Sequence, residues 1–125
     1  MTQLVLKEIL DTSTLKQYVD VIGYDKFLQS VALFEELVPE YIERMQTYAE
    51  ENEVVKLCQQ AHQLKGAAGS IGLLRIQKYA QKLQNPEDAL WEKKHLIWIE
   101  NTARNTVHDL KILKAYLKEK LRHPV

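Results

Sequence analysis

Few side chains in this 125-residue sequence can do chemistry unaided: four histidines and one cysteine, Cys58. Of these His62 has the most informative surroundings. On a helical wheel Leu57, Ala61, Leu64, Ala68 and Ile71 lie nearly opposite it, so the imidazole faces water. Val55, Cys58, Gly66 and Gly69 fall within about 40° of it, and Gln59 and Lys65 form the edges. Gly66 stands mid-helix, where glycine costs about 1 kcal/mol relative to alanine. On an exposed face packing does not explain that cost, and the missing side chain lets another molecule reach the helix backbone. His62 therefore stands on cleared ground with a cation, Lys65, beside it. Cys58 and His62, four residues apart, are also a two-ligand metal pair, a spacing common by chance, and no functional metal is expected. The run Gly66-Ala67-Ala68-Gly69 lacks the Gly-Lys-Ser/Thr of a phosphate-binding loop. His95 and His108 carry no partner motif and are expected at solvated positions.

The charge pattern marks the same region. The chain has 17 basic and 17 acidic residues and no formal net charge. Yet residues 1–61 hold 5 basic and 11 acidic groups, and residues 62–125 hold 12 and 6. No Asp or Glu occurs from Val54 to Pro86, while Lys56, Lys65, Arg75, Lys78 and Lys82 do. A local positive field suits a phosphate or an acidic partner pocket. The zero total argues against a general nucleic-acid or membrane-surface binder. One cysteine excludes an internal disulfide and suggests a reducing compartment. The sequence shows no apolar run of membrane-spanning length and no signal-peptide pattern at its N-terminus. The expectation is a cytoplasmic domain without direct membrane contact.

Positioning such a histidine requires helices. Glycine and proline number only 7, which disfavours an all-β domain rich in tight turns. A short helix is predicted over 12–22, capped by Asp11, Thr12 or Ser13 and stopped by Gly23. Phe27, Val31, Phe34, Val38, Tyr41, Met45 and Tyr48 predict an amphipathic segment over 24–49, kinked or split at Pro39. Further helices are predicted over 51–69, 73–84 and 88–121. The last carries a seam of Leu96, Ile99, Ala103, Thr106, Leu110, Leu113 and Leu117. The expected fold is all-α: an antiparallel four-helix bundle with one or two short extra N-terminal helices. Residues 1–10 are read as an N-terminal linker segment and 11–125 as the bundle domain. With the turn centred near Ile71, His62 lies level with the middle of the 73–84 helix. One edge of that helix holds Gln77 and Gln84, the other Arg75 and Lys82. Periodicity does not choose between them, and Gln84 is preferred.

The run Ala61-His62-Gln63-Leu64-Lys65-Gly66, with Gly72 beyond it, resembles the His-x-Leu-Lys-Gly motif of histidine-containing phosphotransfer (HPt) domains. The resemblance extends over roughly 11–120. It implies a phosphorelay intermediate in two-component signalling, in which His62 exchanges a phosphoryl group with aspartates of response-regulator receiver domains. Lys65 would screen the phosphate, Gln84 would support it, and Val55, Cys58, Gln59, Gly66 and Gly69 would form the docking patch. The receiver would supply Mg²⁺. The domain itself would need neither cofactor nor ATP site, and would act as a monomer. The parent chain is either a free protein or a hybrid sensor kinase anchored in a membrane. Two other readings compete. One is a helix-turn-helix nucleic-acid binder over 51–84, weakened by the apolar start Leu73-Leu74 of its second helix. The other is a metal- or haem-binding bundle, weakened because His62 points away from the core.

Overall fold

The computed structural model describes residues 3–122. Six helices follow in order: α1 (Gln3–Ile9), α2 (Thr12–Ile22), α3 (Tyr24–Glu50), α4 (Val54–Ser70), α5 (Leu74–Leu83) and α6 (Trp91–Tyr116), which runs into a π-helical turn, Leu117–Leu121. Helices α3 to α6 form the bundle: α3 packs on α4, α4 on α5, α5 on α6, and α6 back on α3. Connections of three residues after α3 and α4 force antiparallel neighbours. Among the described residues no helix is long and apolar enough to cross a membrane.

The core follows the three-and-four spacing. Phe27, Val31, Phe34, Val38 and Met45 of α3 meet Leu57, Ala61, Leu64 and Ala68 of α4 and Ile76, Ala80 and Leu83 of α5, all buried. Asp11 caps α2: one carboxylate oxygen accepts from the Thr14 amide at 3.1 Å and the other from the Thr14 hydroxyl at 2.8 Å. Helix α3 runs unbroken through Pro39, so the predicted split does not occur. Pro39 is exposed, and its missing N–H leaves the Glu35 carbonyl, one turn earlier, without its helical donor.

Two expectations need correction. Residues 1–10 are not a linker over their described part. Ile9 and Leu10 are each 1% exposed, Leu10 pairs with Leu73, and the Asp11 amide donates to the Gly72 carbonyl at 3.0 Å. Helix α1 thus packs on α5 and secures the α4–α5 turn. At that turn Gly72 adopts φ +74°, and a Cβ there would stand 2.6 Å from Leu15 Cγ. Met1 and Thr2 of the expected linker, and 123–125 of the expected domain, lie outside the described residues.

The seam of α6 also differs. Leu96 is 57% exposed and Ala103 only half-buried, while Trp91, Trp98, Thr102 and Asp109 turn inward. The buried hydroxyls are satisfied locally: Thr102 donates to the Trp98 carbonyl at 2.7 Å and Thr106 to the Thr102 carbonyl at 2.6 Å. Asp109 is satisfied by Arg75. Thr102 and Asp109, with such partners, occupy core positions that the predicted seam leaves out.

Candidate functional site

His62 is exposed on α4, two turns before the helix end. Leu57, Ala61 and Leu64, all 1% exposed or less, fix the rotation of α4 that turns it outward. A shallow groove of roughly 400 Å³ runs beside it, lined by Val54, Val55, Cys58, Gln59, His62, Gln84 and Pro86. Val55 is 70% exposed. Val54 and Pro86 carry no functional signal in the sequence, and Pro86 enters the groove through the path of the α5–α6 connection.

The structure turns the glutamine edge of α5 toward α4. The Gln84 side-chain amide comes within 3.4 Å of His62 Nδ1. The other edge serves α6. Arg75 donates from Nε to Asp109 at 3.0 Å and from its terminal amino group to the other carboxylate oxygen. Hydrogen bonding to Asp109 holds the guanidinium proton more tightly than usual, against the desolvation that opposes it. Lys82 Nζ lies over Trp98, 5.6 Å from the ring centroid. Neither cation of that edge is spent on His62.

Lys65 is half-buried one turn from the histidine, and Gln59 is exposed at the other side. The two glycines part company. A Cβ at Gly66 would meet nothing within 4 Å, so its surface is open. A Cβ at Gly69 would stand 2.9 Å from Gln77 Nε2 and 3.2 Å from Cδ. Gly69 therefore belongs to the α4–α5 contact, covered by Gln77, and not to the open patch. Cys58 is half-buried as well. Its thiol donates weakly to the Leu83 carbonyl at 3.8 Å, and burial, with the Glu87 charge second, pushes its pKa up. It enters the groove as a small apolar wall.

The competing readings meet obstacles in this geometry. Leu73, at the start of the second helix of the 51–84 pair, is buried and paired with Leu10, so that end does not present itself to a DNA groove. His62 lies outside the bundle core, where a bundle-held metal or haem would sit.

Gly66→Gln gives the first test of the open surface. The variant is expected to fold and to melt slightly above the wild type, since glutamine has the better helix propensity. Transfer from a protein donor is expected to fall severalfold because a long side chain now occupies the cleared ground. A normal rate would show that close approach is not what this glycine provides.

Comparison with known proteins agrees with the geometry. The family model described as "Hpt domain" matches residues 29–111. Two curated relatives, the aerobic respiration control sensor proteins ArcB of Escherichia coli K12 and of Shigella flexneri, are each 31% identical over 109 residues, or 87% of this chain. The chain spans only 14% of their length. The solved histidine-containing phosphotransfer domain of E. coli ArcB superposes with a TM-score of 0.87 at 30% identity, covering 90% of this chain and 96% of that one. A solution structure of the same E. coli domain gives 0.86 at 29%, covering 93% of each. An exposed histidine beside a bundle groove, its glycine-cleared flank, and a family match over the same helices lead to one assignment: the chain belongs to the Hpt family, the histidine-containing phosphotransfer modules of two-component phosphorelays.

Proposed function

We propose that His62 is the phosphoacceptor, and that its donors and acceptors are aspartates of response-regulator receiver domains. The observation that carries this is the exposed imidazole with Gln84 at Nδ1 and open space over Gly66. The two orientations of the Gln84 amide select two tautomers. With the NH₂ toward His62, Nδ1 must be the acceptor and Nε2 carries the proton. With the carbonyl oxygen toward His62, Nδ1–H donates and the Nε2 lone pair is free. Each leaves one amide atom unpaired in the buried position now held by Gln84 Oε1. Only the second supports attack through Nε2.

In that form Nε2 attacks the phosphorus of an aspartyl phosphate. The N–P bond forms as the acyl P–O bond breaks, and the carboxylate leaves with the electron pair. Nδ1 keeps its proton throughout, so the phosphorylated ring is cationic, and Gln84 Oε1 accepts from it in both states. Reversal passes the group onward. Lys65 offsets phosphate charge from one turn away. Val54, Val55 and Pro86 offer the receiver an apolar contact beside the reacting atom. The receiver supplies Mg²⁺, and this domain works without its own cofactor, metal or ATP site, as a cytoplasmic monomer with no nucleic-acid partner.

The test is incubation with a phosphorylated receiver domain, followed by mapping of the label. Label on His62 is expected, and label only on another histidine defeats the proposal. In the same assay Lys65→Ala is expected to lose transfer severalfold, the effect of one partly exposed charge contact worth up to about 1 kcal/mol. Complete inactivation of a folded Lys65→Ala would give Lys65 a direct catalytic part.

A further inference from the structure

Gln84 is the residue immediately after α5, and its contact with His62 depends on how that helix ends. The last four carbonyls of a helix lack intrahelical donors. One of them, Leu83 O, is buried and receives the Trp91 indole N–H at 2.9 Å. That carbonyl and the Gln84 amide nitrogen belong to one planar peptide unit. Fixing the carbonyl direction fixes the plane from which the Gln84 side chain departs. The amide reaches Nδ1 at 3.4 Å, the outer limit of a hydrogen bond. A side chain about 5 Å long, rotated by about 10°, moves its end by about 0.9 Å, enough to break this contact.

Trp91 is itself held. It is 6% exposed, and the His95 ring stacks on it with centroids 4.1 Å apart and planes 4° apart. His95 Nδ1 lies 2.9 Å from the Trp91 carbonyl. A carbonyl only accepts, so Nδ1 carries the proton and the ring is locked in place over the indole.

We infer that Trp91 is a positioning residue for phosphotransfer: its indole N–H holds the end of α5 so that Gln84 meets His62 Nδ1 and sets the imidazole tautomer. This rests on Gln84 being the partner of the imidazole. It assigns the buried tryptophan a role separate from filling the end of the bundle, and His95 the role of clamping its ring.

The experiment compares Trp91→Phe, Trp98→Phe and Gln84→Ala. Trp91→Phe keeps an aromatic ring and removes the N–H. Trp98→Phe removes an indole of similar burial away from the groove. The readouts are the ¹⁵N shifts of the His62 ring nitrogens and transfer from a phosphorylated receiver. Trp91→Phe is expected to move the His62 shifts toward the free-imidazole tautomer mixture. It should slow transfer by about tenfold to a hundredfold, since a misplacement of about 1 Å costs up to about 10²-fold, with the KM for the receiver unchanged. Trp98→Phe should lower the melting temperature and change neither readout. If Gln84→Ala alters the His62 shifts and a folded Trp91→Phe does not, the inference is overturned. If Gln84→Ala alters nothing, the underlying reading of Gln84 fails and the inference with it. Should Trp91→Phe not fold, His95→Ala carries the test. It leaves the N–H and removes the clamp, so a smaller shift in the same direction is expected, and no shift overturns the inference.

Discussion

His62→Gln is expected to lose phosphoryl acceptance entirely while melting like the wild type. The side chain is exposed and its hydrogen-bond partner is the Gln84 amide at 3.4 Å. Surface substitutions of that kind change stability by about 0.5 kcal/mol or less. Glutamine matches imidazole in polarity and reach but has no basic nitrogen lone pair to attack phosphorus. The other described histidines are poorly placed to substitute. His95 is stacked on Trp91 beside a cavity that Glu53 and Glu92 help to line, where a phosphoryl group is repelled. His108 Nδ1 lies 3.1 Å from Asp109 and 3.2 Å from Arg75. Incubation with a labelled receiver, with circular dichroism on the same sample, checks both halves. Transfer persisting in a folded His62→Gln would remove the central assignment.

The largest expected effect on stability is at Asp109, which is fully buried and accepts from Arg75 through both carboxylate oxygens. Asp109→Ala leaves the partly buried guanidinium without its carboxylate partner. Breaking a buried pair costs about 3–5 kcal/mol. The Arg75 side chain is 29% exposed and regains some water, so about 2–4 kcal/mol is expected, near 10 °C in melting temperature. The double variant Arg75→Met, Asp109→Leu should recover most of the loss, because apolar pairs of similar volume replace buried ion pairs well. Thermal melts of the single and double variants decide this. An unchanged melting temperature in Asp109→Ala would mean that the pair does not anchor α5 to α6.

Much of this molecule was legible in its residues. The three-and-four spacing of Phe27, Val31, Phe34 and Val38 determined a helix and its buried face, because burial of one stripe is a local property of the chain. Asp11 and Gly23 marked the ends of α2 for equally local reasons: a side-chain acceptor for the Thr14 amide, and a glycine that accepts φ +90°. The outward direction of His62 followed from Leu57, Ala61 and Leu64. Motif and wheel together brought out His62, Lys65 and the open Gly66.

What one helix presents to another was decided only in the tertiary structure. Periodicity placed Gln84 and Arg75 on opposite edges of the fourth predicted helix and left the choice open. It was made when Asp109 of α6 took Arg75 and Trp91 took the Leu83 carbonyl, which together set the rotation of α5. The same docking put Gln77 over Gly69, so that of two glycines three residues apart one faces solvent and the other a neighbouring helix. A second short N-terminal helix was expected, but its place in residues 1–10 escaped sequence reading because the 7 residues of α1 are too few for a periodic signal, and Asp109 escaped because a charged residue reads as surface until its partner is known. A chain's own pattern specifies which face is buried; which residues meet across that face depends on side chains distant in sequence, through packing that no local pattern encodes.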